Sequence, residues 1–355
     1  MAAQNGSIGI VSIHPGTREP AAGPSSVPLQ VGGHPGAVET SADGSFVIKS
    51  ALPGESVFYS ALASEPALAQ LREWVPQFYG TLRLEGQMLP GGELVPAPSV
   101  GETGAESVVL ENVVQYFLKG NVCDVKMGKV LWDEDASEDK RARMELRARE
   151  TTSAETGIRL TGFHVYNRLT NRYTTYPKSY GYSLTAAQLP QGISAFFPLA
   201  LSPSDPGLPP DLLVSVLQGV EDDVEELTEV LAATEVRVVG GSVLLVYEGE
   251  ERALREALRK QEELKARADA EATDAATNAD EEDEEMEEDE EESEPEETPN
   301  LPWIVRLIDF AHTRCVPGQG PDEGLLFGLR TLLRLLKGRR EEVQRLASGG
   351  AGGMS

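Results

Sequence analysis

The sequence predicts an α+β protein of two lobes, a β-rich first lobe and a larger mixed second lobe. Three observations lead there. The chain of 355 residues is long enough for two lobes around a cleft. Residues 29–113 carry short strand-like runs broken by Gly- and Pro-containing turns, with one helical stretch among them. From residue 114 onward, apolar strands alternate with amphipathic helices.

Residues 1–28 are rich in Pro, Gly, Ala and Ser and read as a flexible tail. The run LQVGGHPGAVETSADGSFVIKSAL reads as strand, Gly-rich turn, strand, a turn at Asp43-Gly44, and a strand ending at Lys49. Residues 55–73 read as one helix, closing at Trp74-Val75-Pro76. FYGTLRLEG and SVVLENVV are two further strands around a Pro/Gly-rich loop, and the first lobe ends near Val113. The second lobe spans residues 114–268. It opens with NVCDVKMGKVLW, a strand stopped by glycine, and continues into a strongly charged helical segment within 134–152. IRLTGFHVYN is a strand, SLTAAQLPQGISAFF and residues 210–231 are helices, and EVRVVGGSVLLVYEG is two strands around Gly240-Gly241. A charged helix follows over 250–268. Residues 269–300, rich in Ala, Thr, Asp and Glu, are expected to be a disordered acidic insert. WIVRLIDFAHT returns as a strand, and residues 301–347 complete the second lobe. Leu325, Leu329, Leu332, Leu333 and Leu336 lie on one face of its closing helix. Residues 348–355 read as a second flexible tail.

The formal net charge is −27. Residues 280–297 hold 15 acidic and no basic residues, and removing them leaves 43 acids against 31 bases, a net of −12. This balance argues against duplex DNA as a direct ligand, which needs clustered Lys and Arg. It leaves room for a small polyanion held by a local cationic group. No run of about 18 apolar residues suggests a membrane span, and the first residues lack a signal-peptide pattern. Cys123 and Cys315 lack metal-ligand spacing and read as two reduced, buried thiols. His14 is expected in the flexible tail, His34 to shape its turn, and His164 to pack in its strand. Trp74, Trp132 and Trp303 read as core or lobe-interface residues.

Four elements carry chemistry together. Lys49 ends a strand behind a Gly-bearing hairpin, where a lysine can lie against nucleotide phosphates. In Asp124-Val125-Lys126-Met127-Gly128, strand alternation puts Asp124 and Lys126 on one face and Val125 and Met127 on the buried one. Asp309 follows an apolar strand and precedes Phe310, an arrangement that presents a carboxylate to magnesium. Helical spacing sets Lys140, Arg143 and Arg147 along one side of the charged helix. Taken singly, each fits a plainer role: a surface lysine, a cross-strand ion pair, an N-cap or turn aspartate, and a solvated helix face.

Taken together they resemble a family. GNVCDVKMGK is similar to the inositol polyphosphate kinase signature P-x-x-x-D-x-K-x-G. GSVLLVYEG resembles its S-S-L-L strand, RLIDFAHT its I-D-F-A-H element, and KSYGYSLT its tyrosine-glycine turn. The order also agrees: Lys49, then LENV, then DVKMG, then the S-L-L-like strand, then IDFAH, with the tyrosine-glycine turn between them. The resemblance covers residues 29–336 apart from the acidic insert. DEDASEDKRARMELRARETTS looks most like the multikinase branch, especially its fungal members. Departures are Gly120 for the signature proline, Gly241 and Val243 for the first Ser and first Leu of S-S-L-L, and Tyr182 where a basic residue is common in the family.

The resemblance implies a protein-kinase-like two-lobed fold with ATP in the cleft between the lobes. It implies ATP and Mg2+ as cofactors, Lys49 on the ATP phosphates, and Glu111 and Val113 of LENV at the adenine edge. Asp124 would accept the ribose hydroxyls, and Lys126 would contact the attacking hydroxyl and the γ-phosphate. Asp309 would ligate the metal, with Ser242 supporting that region. Lys140, Arg147 and His312 would grip substrate phosphates. The implied reaction converts inositol 1,4,5-trisphosphate through the tetrakisphosphate to the pentakisphosphate, with the matching phosphoinositide head group as a further acceptor. Alternatives are an inositol hexakisphosphate kinase making pyrophosphates, or a transcriptional scaffold binding basic proteins through the acidic insert. Nucleus and cytoplasm are the expected compartments. A protein kinase is disfavoured, because neither an H-R-D loop nor a G-x-G-x-x-G element is present.

Overall fold

The computed structural model describes residues 38–83, 86–88, 94–96, 106–277 and 300–350. In chain order the strands are β1 (Val38–Thr40), β2 (Phe46–Ser50), β3 (Phe78–Arg83), β4 (Gly86–Met88), β5 (Leu94–Pro96), β6 (Glu106–Glu111), β7 (Gly120–Met127), β8 (Ile158–Asn167), β9 (Arg172–Tyr176), β10 (Val236–Val239), β11 (Ser242–Glu248), β12 (Trp303–Ile308) and β13 (His312–Cys315). The helices are α1 (Pro53–Ser64), α2 (Ala69–Arg72), α3 (Glu138–Arg149), α4 (Ser153–Thr156), α5 (Lys178–Ser183), α6 (Leu189–Phe196), α7 (Pro210–Ala233), α8 (Glu251–Thr277) and α9 (Glu323–Gly350).

The first lobe is an antiparallel sheet of order β1-β2-β6-β3, with α1 packed against it. Its tight β1–β2 turn is held by Asp43, whose carboxylate accepts hydrogen bonds from the hydroxyls of Ser41 and Ser45 at 2.6 and 2.7 Å. The second lobe is built on an antiparallel sheet of order β12-β11-β7-β8-β9, backed by α6, α7 and α9. β7 is its central strand, and Cys123, Val125 and Met127 point into the core without exposure. The other face of β7 is thereby left for Asp124 and Lys126, as the alternation predicts. One continuous hydrophobic core runs through both lobes, from Phe58 and Tyr59 on α1 to Leu329 and Val343 on α9.

The first strand expected from Leu29, together with His14 and His34, lies outside the described residues, as do residues 278–299 and 351–355 of the acidic insert and the second tail. The single helix expected over 55–73 is broken at Pro66. That residue opens a 3-10 turn, Pro66–Leu68, between α1 and α2, because proline cannot donate the next helical hydrogen bond. The loop expected between β3 and β6 contains the short hairpin β4–β5. β10 and β11 are consecutive but part company: β11 joins the main sheet, whereas β10 pairs with β13.

Helix α8 continues to Thr277, into the segment expected to be disordered from residue 269. Ala-rich sequence favours helix, and Arg267 pairs with Glu271 one turn on at 2.8 Å. Helix α9 likewise runs past 347 to Gly350. Cys123 is buried as expected, but Cys315 is exposed, because β13 belongs to a two-stranded ribbon at the surface. No described helix is long and apolar enough to cross a membrane.

Candidate active site

The first lobe supplies one wall of a cleft of about 690 Å³ and the central strands of the second lobe supply the other. At one end the lining is apolar: Val38, Val47, Leu110, Val114, Leu131 and Leu244 flank the β6 exit at Glu111-Asn112-Val113. Such a slot suits a flat heteroaromatic ring next to open backbone groups. Asn112 shapes the exit, its amide donating to Gly44 O at 2.7 Å and its side-chain oxygen accepting from Val114 N at 3.2 Å. Glu111 accepts from the Tyr116 hydroxyl at 2.6 Å, so its side chain is engaged locally.

At the centre, residues far apart in sequence converge. Lys49 Nζ on β2 donates to Asp309 Oδ1 at 2.6 Å and to Glu55 Oε1 on α1 at 2.8 Å. Burial works against the Lys49 charge, but Asp309 and Glu55 outweigh it and raise its pKa above the ordinary lysine value. Burial also opposes the Asp309 charge. Lys49 and Lys126 win again and hold that carboxyl below the usual range. Asp309 is one of two described non-glycine residues with positive φ, at 68°. Phe310 sets this bend: it is fully buried, with ring centroids 4.8 Å from Phe58 and 5.3 Å from Tyr59 on α1. Aspartate tolerates the left-handed region better than most residues.

Lys126 sits in register with Ser242 on β11 and with Arg159 on β8. Its Nζ donates to the carbonyl of Gly240, a residue at φ 74° in the turn leading to β11. Asp124 lies two residues earlier on the same face. Burial, reinforced by the nearby Asp309, pushes its carboxyl up to about 6. The Ser242 hydroxyl and the Lys126 charge oppose that rise, and its buried Oδ1 makes no hydrogen bond of good geometry among the described residues.

The far end is cationic. Lys140, Met144 and Arg147 present one stripe of α3 to the cleft, joined by Arg159 of β8 and by Lys178 and Tyr182 of α5. Arg143 departs from the expected face: it is exposed and does not line the cleft, because Met144 takes the position between Lys140 and Arg147. Asp133 ties this end to the centre. Its Oδ2 accepts from His312 Nδ1 at 2.5 Å and lies 3.7 Å from Lys140 Nζ.

Of the residues singled out in the sequence, Lys49, Glu111, Val113, Asp124, Lys126, Lys140, Arg147, Asp309 and His312 all line this one cleft. Ser242 does not. It is fully buried, in register with Lys126, and its hydroxyl acts on the Asp124 carboxyl instead. Sequence reasoning missed Glu55, Asp133, Arg159 and Lys178. Arg159 left a signal, a lone cation in the otherwise apolar IRLTGFHVYN strand. Glu55 left none. His164 packs as expected, with Nδ1 2.9 Å from the Thr175 hydroxyl. Trp74 is in the core, and Trp303 packs against it and donates to Asp223 at 3.1 Å. Trp132 carries the Arg141 guanidinium 4.5 Å from its ring, a basic–aromatic contact the sequence did not suggest.

A hard divalent ion seeks carboxylate oxygens and, in the case of Mg2+, takes only one or two from the protein beside phosphate oxygens. Among the described residues no group of three or more His, Cys, Asp or Glu forms a closed metal cage. The ionised Asp309 at the centre of an open cleft fits a metal that arrives with a nucleotide.

The family model described as inositol polyphosphate kinase matches residues 107–337. An inositol polyphosphate multikinase of Saccharomyces cerevisiae is 29% identical over 343 residues, covering 85% of this chain and 94% of that protein. One from Schizosaccharomyces pombe is 27% identical over 221 residues, 62% and 78% of the two chains. Human inositol hexakisphosphate kinase 1 is 29% identical over 244 residues, but only 53% of its length is covered. The crystal structure of the S. cerevisiae inositol phosphate multikinase in complex with ADP and Mn2+ superposes with a TM-score of 0.58 at 25% identity, covering 83% of this chain and 99% of that one. The chain is a kinase and belongs to the inositol polyphosphate kinase family.

Proposed function

We infer that this kinase is an ATP-dependent inositol polyphosphate multikinase. The acceptor is inositol 1,4,5-trisphosphate, carried through the tetrakisphosphate to the pentakisphosphate. The observation that carries the reading is the division of one cleft into an apolar slot, a Lys49–Asp309–Lys126 centre and a cationic end. Adenine takes the slot against Glu111 and Val113, and the Asp124 carboxylate accepts a ribose hydroxyl. Lys49, steadied by Glu55, neutralises the nucleotide phosphates. The acceptor hydroxyl attacks the γ-phosphorus and releases its proton to water in the open cleft, the bond from phosphorus to the bridging oxygen of ADP breaks, and ADP departs. Lys126 lies where hydroxyl and γ-phosphate meet and offsets the charge that develops there. Asp309 would hold Mg2+, which supplies neutralisation of the phosphate oxygens. Lys140, Arg147 and His312 grip acceptor phosphates, and the size of that cationic end supports an acceptor with several of them. Support for the multikinase over the hexakisphosphate kinase comes from the yeast relatives, covered over 94% and 78% of their lengths, whereas the latter is covered over 53% of its length.

The test is to incubate pure protein with ATP, Mg2+ and a panel of inositol phosphates, and to identify products by phosphorus NMR. New monoester phosphates on the trisphosphate support the reading; pyrophosphate signals from the hexakisphosphate alone would replace it with the alternative. Adding the bisphosphorylated phosphoinositide to the panel tests the lipid acceptor. Removing residues 278–299 and comparing both turnover and capture of basic protein partners tests the acidic tract, for which we propose a binding role separate from catalysis.

A further inference from the structure

The cationic end contains three charges without a direct salt bridge, although Arg159 feels the charge of Asp124 beyond contact distance. Arg147, Arg159 and Lys178 have no ion-pair partner within 4.0 Å among the described residues. Arg159 is the most demanding case, because its residue is only 5% exposed. Its guanidinium donates to two neutral hydroxyls, Thr151 at 3.3 Å and Ser153 at 3.4 Å, and its Nε has no partner among the described residues. A buried cation left in that condition costs stability unless an anion completes it.

What the three cations share is Tyr182. Its ring centroid lies 4.7 Å from Arg159, 5.3 Å from Arg147 and 5.6 Å from Lys178. Its hydroxyl also accepts from Arg147 Nη1 at 3.1 Å. Burial would raise the phenol pKa, but Arg159, Lys178 and the bond from Arg147 outweigh it and hold it below the ordinary tyrosine value. The ring is fixed by its backbone. Gly181 is pressed so close to β8 that an added Cβ would lie 1.8 Å from Leu160 O. A neutral aromatic face attracts cations without cancelling them. A carboxylate in the same place would gather them equally well but neutralise the positive charge they offer. The cluster also has a defined neighbour: Arg159 is paired in register with Lys126, so it lies one strand spacing, about 4.8 Å, from the residue at the transfer point.

We propose that Tyr182 is a positioning residue that gathers Arg147, Arg159 and Lys178 into a subsite for a phosphate ester of the acceptor, next to the hydroxyl being phosphorylated. This rests on the reading of the acceptor as a phosphorylated inositol. The subsite is preorganised, so binding does not have to draw three repelling side chains together. It belongs to the acceptor and not to ATP, because Glu111 and Val113 of the apolar slot lie at the opposite end of the cleft, with Lys49 and Asp309 between.

The experiment measures nucleotide-free binding of inositol hexakisphosphate, used as the probe, by titration calorimetry, with KM values for ATP and the trisphosphate measured alongside. Tyr182→Leu should weaken probe binding about tenfold, the effect expected when desolvated cation–π contacts are removed. It should raise the acceptor KM in parallel and leave the ATP KM unchanged. Tyr182→Phe, which keeps the ring, should stay within about threefold of the parent. Should Tyr182→Leu fail to fold, Lys178→Gln on an exposed side chain must still weaken probe binding by several-fold. Parent-like binding by Tyr182→Leu, or an equal change in both KM values, would overturn the proposal. So would a loss in Tyr182→Phe as large as in Tyr182→Leu. If the probe binds as expected but no inositol phosphate is turned over, the kinase reading fails while the subsite stands. Turnover with parent-like probe binding by Tyr182→Leu has the opposite meaning.

Discussion

Lys49 and Asp309 are 260 residues apart, yet Nζ and Oδ1 meet at 2.6 Å. The contact joins the two lobes at the centre of the cleft, and Glu55 on α1 completes it from the first lobe. Glu55 is 1% exposed, whereas the Lys49 and Asp309 side chains keep 21% and 36% of their surface open toward the cleft. Lys49→Met should lower kcat at least about 100-fold, the scale of losing one fixed charge at a phosphoryl-transfer centre. Glu55→Gln should do less, about tenfold, because Lys49 keeps its partner Asp309. Steady-state kinetics on variants with parent-like circular dichroism will check both values.

Asp133 connects the acceptor end to the centre through His312 and Lys140. Arg147→Ala and Asp133→Asn should each raise the acceptor KM by about tenfold while the ATP KM stays within about twofold. A change confined to ATP would show that this end of the cleft is not the acceptor site.

Gly181 is required by packing, because α5 touches the backbone of β8 at that point. Gly181→Ala should cost about 3 kcal/mol of stability through overpacking, since the obstructing atom is a backbone oxygen of a central-sheet strand. Denaturant unfolding will measure it.

Asp223 predicts a pH effect far from the cleft. Burial lifts its carboxyl to about 6, against the bond from Trp303 Nε1 and the charge of Arg306. Between about pH 4 and about pH 6 the folded protein therefore holds a proton that the unfolded chain has released. For this group, stability is lost as pH rises through that window, reaching about 3 kcal/mol above it. Asp223→Asn keeps an acceptor for Trp303 but cannot ionise. Its stability relative to the parent should increase by up to that amount between pH 4 and pH 7. A constant difference across that range would contradict the assignment.

Much of the site was legible because its residues sit on strands, where period-two alternation fixes the direction of a side chain. Asp124 and Lys126 could be assigned to one face without knowing the sheet order. Asp309 was marked by the apolar strand before it and by Phe310 after it, which the structure buries against Phe58 and Tyr59. On helices the same reasoning was weaker. Lys140, Arg143 and Arg147 all fit one broad side of α3, and only the surroundings of that helix show that Met144 replaces Arg143 at the cleft. Glu55 has no local pattern, since its role comes from the docking of α1 against the first-lobe sheet and β13. Arg159 was visible as a charge in an apolar strand, but its meaning depended on β8 pairing with β7, a long-range choice that spacing does not encode. The helical continuation of α8 was hidden by acidic composition, which outweighed its alanines in the reading.

The most direct test of the whole arrangement is γ-phosphate transfer from ATP to inositol 1,4,5-trisphosphate by the parent and by Asp309→Asn. Asparagine tolerates the φ of 68° and is nearly isosteric, so the variant should still fold, with a circular dichroism spectrum like the parent's. Turnover in the parent with less than about 1% of it in the folded variant is the expected result. Activity in the variant within about tenfold of the parent, or no transfer by the parent to any inositol phosphate, would contradict it.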